Sequence, residues 1–147
     1  MSDTPAMPKN IRLKGLIVCE TLLRVCRLIT DHFDCDIECF VCYLAVVSAN
    51  LGRMMRSRDL VDDSAPPPDE DRLPVSRRAI AASVGLPRET VRRKVMELIE
   101  KGHLVEVQGG LKAVAPILEH ADNLQIVLGA IRSFERAVAE LRASDGR

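Results

Sequence analysis

The chain contains no tryptophan, three phenylalanines and one tyrosine in 147 residues. So few aromatic rings argue against modules that stack single-stranded bases on aromatic platforms. It also lacks net charge, with 21 basic residues against 21 acidic ones. A uniformly basic nucleic-acid coat and an acidic tail protein are both excluded. The longest stretch without a charged residue, Cys39 to Gly52, falls well short of the roughly 18 apolar residues of a membrane span. It reads as a buried core helix, and no membrane partner is expected. The opening Met-Ser-Asp-Thr-Pro has no basic region leading into an apolar run, so no signal peptide is expected. A disulfide framework is missing too. The five cysteines are an odd count and all fall between Cys19 and Cys42, whereas a framework would spread them. A reducing cytoplasm is the expected setting. No Ser/His/Asp set, carboxylate pair or phosphate-cradling glycine loop emerges, and His103 and His120 stand alone beside element ends. The length is too short for a barrel or a two-domain cofactor enzyme. Neither an enzyme nor a cofactor is expected.

What is present is 47% hydrophobic residues, enough to bury a core, distributed very unevenly. Residues 1–9, with Pro5 and Pro8, read as a loose arm. Residues 10–56 read as an N-terminal helical dimerisation region. Its first helix, about Ile11 to Phe33, confines Glu20, Arg24, Arg27 and Asp31 to one narrow polar stripe, where an ordinary surface helix has a wider wet face. Asp34 and Asp36 can cap a second helix, about Asp36 to Arg56. Its middle, Phe40 to Val47, is apolar all round and must be enclosed. Residues 57–72, rich in aspartate and carrying Pro66-Pro67-Pro68, read as a solvated, proline-stiffened linker.

From Leu73 to Pro116 the pattern is compact. Ser76 is a good N-cap for a helix Arg77–Val84, which Gly85 can end in the left-handed conformation. Pro87 suits the first turn of a second helix that runs to about Lys101 and stops at Gly102. Leu104–Val107, a Gln108-Gly109-Gly110 turn and Leu111–Ala115 then form a hairpin. Two helices joined by a short glycine turn make a helix-turn-helix, with Ile80, Ala81 and Val84 facing Val91, Val95, Leu98 and Ile99. At 100° per residue, Glu89, Thr90, Arg93 and Glu97 point away from the apolar stripe. Arg88 projects from the first turn, and Arg92 and Lys94 flank the face. Arginine can pair with guanine in the major groove and glutamate can accept from cytosine. Between Pro74 and His103 there are seven basic residues against Glu89, Glu97 and Glu100. The neutral whole therefore holds a locally basic module suited to phosphate.

The string Ser76-Arg77-Arg78-Ala79-Ile80-Ala81-Ala82-Ser83-Val84-Gly85-Leu86-Pro87-Arg88-Glu89-Thr90-Val91-Arg92-Arg93 resembles the helix-turn-helix of Crp–Fnr transcription regulators. The Arg-Glu-Thr-Val that opens its second helix is the most specific part. The resemblance covers under a third of the chain. It implies that Arg88, Glu89 and Arg93 read base edges and that Ser76 and Thr90 hold phosphates. Pro87 replaces the family's usual serine, Lys94 stands where an apolar residue is usual, and no segment has room for the family's large β-roll. With helices before and after the hairpin module, the layout looks more like MarR-type dimeric regulators.

The last segment, residues 117–147, reads as a C-terminal dimerisation helix, about Leu118 to Leu141. Leu124, Val127, Ile131, Phe134, Val138 and Leu141 alternate spacings of three and four, a heptad seam. The chain has more apolar helix than one small domain can cover, which predicts a homodimer. Cys35, Cys39 and Cys42 form a C-x3-C-x2-C string. Buried thiols acting as small hydrophobes are its ordinary reading. An iron–sulfur or metal site, with Cys19, Cys26 or His32 added, is the alternative.

The expected fold is thus mainly α with a small β wing, a winged helix-turn-helix with flanking N- and C-terminal dimerisation helices. The expected function is that of a homodimeric regulator binding double-stranded DNA through Ser76, Arg77, Arg88, Glu89, Thr90, Arg92, Arg93 and, on the wing, Lys112. A small-molecule effector stays open. The rival readings are a redox or metal sensor built on the same module, and a protein-interaction scaffold that binds no DNA.

Overall fold

Alternating three- and four-residue apolar spacings give this chain its helices, and two left-handed glycines set two of the ends. The computed structural model describes residues 8–57, 68–114 and 121–146. In order these form α1 (Ile11–Phe33), α2 (Ile37–Ser57), a 3-10 turn (Asp69–Asp71), α3 (Arg77–Val84), α4 (Arg88–Glu100), strands β1 (Leu104–Val107) and β2 (Gly110–Ala113), and α5 (Ala121–Asp145). The architecture is mainly helical with one small antiparallel sheet, Leu104 pairing with Ala113 and Val107 with Gly110. No helix among the described residues is long and apolar enough to cross a membrane. Residues 1–7 of the expected arm, 58–67 of the linker, and 115–120, which include Pro116 and His120, lie outside the described residues, as does the side chain of His32.

The chain divides into two units, residues 33–119 and residues 1–32 with 120–147. The first has a closed core. Ser76 caps α3 by accepting from the Ala79 N–H at 3.2 Å, and Gly85 ends it at φ +70°. Pro87 takes the N-cap position of α4, one residue earlier than the helical first turn. At the far end of α4, Gly102 is left-handed, the Gly102 N–H donates to the Ile99 carbonyl and the His103 N–H to the Leu98 carbonyl. That paired arrangement satisfies carbonyls the helix end would otherwise strand. Ile80, Val91, Val95, Leu98, Leu104 and Leu111 are fully buried together.

The structure corrects the expected domain division at α2. This helix packs on α3, α4 and β2, so it belongs to the hairpin unit and not to an N-terminal dimerisation region. The expected full enclosure of α2 is not met: α3, α4 and β2 cover part of its circumference, while Ile37 and Leu44 stay exposed. Cys39, Cys42, Tyr43 and Val46 are buried there. So is Asn50, at 1% exposure. Its Nδ2 donates to the carbonyls of Leu73 at 2.6 Å and Leu111 at 3.2 Å, and its Oδ1 accepts from the Ala113 N–H at 2.9 Å. Asn50 thus ties α2 to the backbone where Val75 forms a bridge to Leu111. Buried polar groups cost little only when paired in this way.

The end of the expected linker is also built into this unit. Asp69–Asp71 forms its 3-10 turn, and Arg72 donates to the Ala113 carbonyl. At the α1–α2 junction Phe33 stacks within 5.8 Å of Phe40, 5.4 Å of Tyr43 and 5.4 Å of His103. Three of the four aromatic residues of the chain are spent on this cluster.

The second unit is an antiparallel helix pair. Lys14 pairs with Asp145, Asn10 donates to the Ser144 carbonyl, and Leu28 lies against Gly129. Its buried residues include Ile17, Thr21 and Ile29 on α1, and Ile126, Ala137 and Ser144 on α5. The expected seam residues Leu124, Ile131, Phe134 and Val138 are not part of that contact and stay exposed, as do Ile11, Leu16, Val18, Leu22 and Leu23 on α1.

Candidate nucleic-acid interface

α4 is seated by its inner face and presents its outer one. Val91, Val95 and Leu98 fix it from within, which leaves Arg88, Glu89, Arg92, Arg93, Met96 and Glu100 exposed. Thr90 is half-buried, at the edge of the face and not on it.

The structure sorts the cations of this module by what they already hold. Arg92 is bound to Glu89, its Nε and Nη2 donating to the carboxylate at 2.6–3.1 Å. That pairing draws the Glu89 carboxyl below the usual carboxylate range and raises Arg92. Arg77 makes a two-pronged bond to Glu106 on β1, at 2.7 and 3.1 Å, joining the start of α3 to the hairpin. Lys101 holds Glu97 at 3.0 Å and donates to the Asp34 carbonyl. Arg78, Arg88 and Arg93 make no ion pair or side-chain hydrogen bond among the described residues. Of these, Arg88 and Arg93 stand on the outer face of α4, with Glu89 and Arg92 alongside.

Two lysines depart from the expectations. Lys112 was expected to reach phosphate from the hairpin. Its ammonium instead donates to the Asp69 carbonyl at 2.8 Å and carboxylate at 2.9 Å, with the side chain 12% exposed. It serves as a strut between β2 and the 3-10 turn. Lys94 was expected at the margin of the exposed face. It is turned inward, its side chain 8% exposed, and pairs with Asp36. The other Asp36 oxygen accepts from the Cys39 N–H at 2.9 Å and so caps α2. One carboxylate therefore starts α2 and anchors the middle of α4. The pairing lowers the Asp36 pKa and raises that of Lys94. An aspartate two residues before Glu38 was legible as a cap; its second partner, 58 positions on, was not.

Cys35, Cys39 and Cys42 sit behind this clamp. Burial pushes the Cys39 thiol up to about 12 and Cys42 to about 11, and raises Cys35 as well. Cys39 donates weakly to the Lys94 carbonyl at 3.8 Å. Among the described residues no group of three or more His, Cys, Asp or Glu side chains is placed to hold a metal.

Compared with models of known protein families, with curated proteins and with solved structures, the chain shows no significant match.

Proposed function

We propose that residues 33–119 form a winged helix-turn-helix that binds double-stranded DNA, and that the protein is a transcription regulator acting as a homodimer. The observation that carries this reading is the outer face of α4. Arg88 and Arg93 project from the first half of a rigidly seated helix with no ion-pair partner among the described residues. Two arginines there are cations without internal employment, and the major groove offers paired acceptors on guanine. Glu89, oriented by Arg92, is the acceptor for a cytosine amino group. Ser76 keeps its hydroxyl proton while its oxygen caps α3, so it can donate to a phosphate. Arg77 reaches phosphate by exchanging Glu106 for it, an exposed pair whose loss costs little. α3 with α4 supplies the helix-turn-helix, and the β1–β2 hairpin the wing.

A salt titration of binding to selected genomic fragments and to random duplex tests the reading. Arg93→Ala removes a base contact worth about 1–3 kcal/mol of discrimination. It should weaken binding to the selected site far more than to random DNA. Arg77→Ala should weaken both alike and flatten the salt dependence by roughly one ion per site. Equal loss on both duplexes for Arg93→Ala would remove α4 from its recognition role. If the wild type binds neither duplex at low salt, the module is a protein-interaction scaffold.

A further inference from the structure

Exposed leucines occur around much of α1, Leu13, Leu16 and Leu23 among them, but on one side of the α1–α5 pair both helices carry an apolar track. The residues of α1 that face α5, including Lys14, Ile17, Thr21 and Leu28, follow one heptad track. A second track on α1, Ile11, Gly15, Val18, Leu22, Val25 and Ile29, lies about a quarter-turn further round at 100° per residue. On α5 the contact track is Ile126, Ala130, Ser133, Ala137 and Ser144. The track Leu124, Val127, Ile131, Phe134, Val138 and Leu141 again lies about a quarter-turn further round in the same rotational sense. Because the helices run antiparallel, the same rotation on each points to the same side of the pair. The polar stripe of α1 falls on the opposite side, where Glu20 interacts electrostatically with Arg136 of α5. The two apolar tracks thus lie side by side, with Ile11, Val18, Leu22, Ile131, Phe134 and Val138 exposed and Ile29 buried.

We infer that this two-helix face is the dimer interface, and that its occupant is the same face of a second copy, closing a four-helix bundle. The inference rests on the dimeric-regulator reading above and specifies its partner surface. Three features select a second copy. The heptad spacing on both tracks is the signature of helices packed at a shallow angle, so the occupant is itself helical with the same repeat. The two tracks match in length and period, which makes the face self-complementary under a two-fold axis. A face about 35 Å long and about two helix diameters wide offers close to the roughly 800 Å² per partner that a stable interface buries. A shallow groove along α5, lined by Ile131, Phe134, Val138 and Ala139 with Glu135 and Arg142 at its rim, lies beside the track.

Light scattering of the full chain at micromolar concentration, without DNA, tests this independently of DNA binding. The wild type should have twice the chain mass. Ile131→Asp should halve it, because an unpaired carboxylate at the centre of a dry contact is costly. Arg132→Asp, one residue on and off the apolar track, should leave the dimer intact. Phe134→Ala removes bulk without adding charge and should raise the dissociation constant at least about tenfold, which keeps the inference testable if Ile131→Asp is insoluble. A monomeric wild type, or an unchanged dissociation constant for Phe134→Ala, would overturn it. Equal disruption by Arg132→Asp would overturn it as well.

Discussion

The two units of this chain spend their hydrophobic residues in opposite ways. In residues 33–119 a set of large apolar side chains, Ile80, Val91, Val95, Leu98, Leu104 and Leu111, is fully buried, and the buried polar groups, Asn50 and Lys94, have partners on other elements. In the α1–α5 pair the internal contact mixes Ile17, Leu28 and Ile126 with small residues such as Gly129 and Ala137, and many leucines, isoleucines and a phenylalanine face outward. Its buried polar groups bond within their own helix, Thr21 to the Ile17 carbonyl and Ser144 to the Leu141 carbonyl. Cross-element polar ties fix one arrangement, since any other would leave buried groups unpaired. The α1–α5 pair has cross-helix polar ties only at one end, Asn10 to the Ser144 carbonyl and Lys14 to Asp145, and so fixes its arrangement less firmly.

One substitution made in each unit should break that symmetry most strongly. Gly110 sits at φ +145°, and a Cβ there would occupy the space of the Val75 carbonyl. The carbonyl cannot yield, because Val75 and Leu111 exchange backbone hydrogen bonds at 2.9 and 3.1 Å. Gly110→Ala should cost about 3 kcal/mol or more from strain and overpacking. Gly129 lies mid-helix, and its added Cβ would meet only the end of the Leu28 side chain at 3.1 Å. Helix propensity returns about 1 kcal/mol there, so Gly129→Ala should change stability by less than about 1 kcal/mol. Urea denaturation followed by circular dichroism measures both. Similar costs at the two sites would mean that the helix pair is packed as tightly as the hairpin unit.

The Asp36–Lys94 clamp sharpens the comparison at smaller cost, because its two ends are not equivalent. Asp36→Ala removes the α2 cap, worth about 1 kcal/mol, and leaves an ammonium whose side chain is 8% exposed with only the Glu97 carboxylate at 3.8 Å. A loss of about 2–3 kcal/mol is expected. Lys94→Met keeps the buried stem and removes the charge, while Asp36, 55% exposed, stays hydrated and still caps α2. That variant should lose less than about 1 kcal/mol. The reverse order in thermal or chemical unfolding would show that the lysine is not buried as described.

Local pattern made α3, α4 and the hairpin legible in the sequence, because each has its own punctuation: Ser76, Gly85, Gly102 and Gly109. Helical period placed Glu89 and Arg93 outward correctly, but it also put Thr90 and Glu97 on that face, where they are half-buried, and Lys94 at its margin, where it is buried. Long-range partners did not. Nothing near Lys112 announces Asp69, and nothing near Arg77 announces Glu106, so both cations read as available when they are engaged. Asn50 was hidden for a similar reason, a lone polar residue near the end of an apolar helix whose three backbone partners lie 23 to 63 positions away. The apolar character of α2 announced more enclosure than it finds, without saying by what. Length and composition placed it with α1; packing places it with α4. The apolar stripe of α5 was legible from its period, but period alone could not show that α5 meets α1 through a different track.

The aromatic cluster at the α1–α2 junction yields the smallest effect. His103 stacks on Phe33 and stands 6.2 Å from Tyr43, and burial, with Lys101 close by, holds its pKa below the ordinary 6.5. The folded state therefore binds this proton less readily than the unfolded chain does. By linkage, the contribution of neutral His103 is fully present above about pH 6.5 and is lost as the pH falls through that value toward the depressed folded one. Asp36 has its pKa lowered from 3.8 by Lys94, so its contribution is lost only at more acidic pH, and the two windows do not overlap. The thermal midpoint of the wild type should fall by a few degrees at most between pH 7 and pH 5. His103→Phe keeps a ring against Phe33 and removes the proton site, so its midpoint should fall less over the same range. An identical pH profile for the two proteins would mean that His103 is as solvated in the folded chain as in the unfolded one, and that the ring cluster does not close over it.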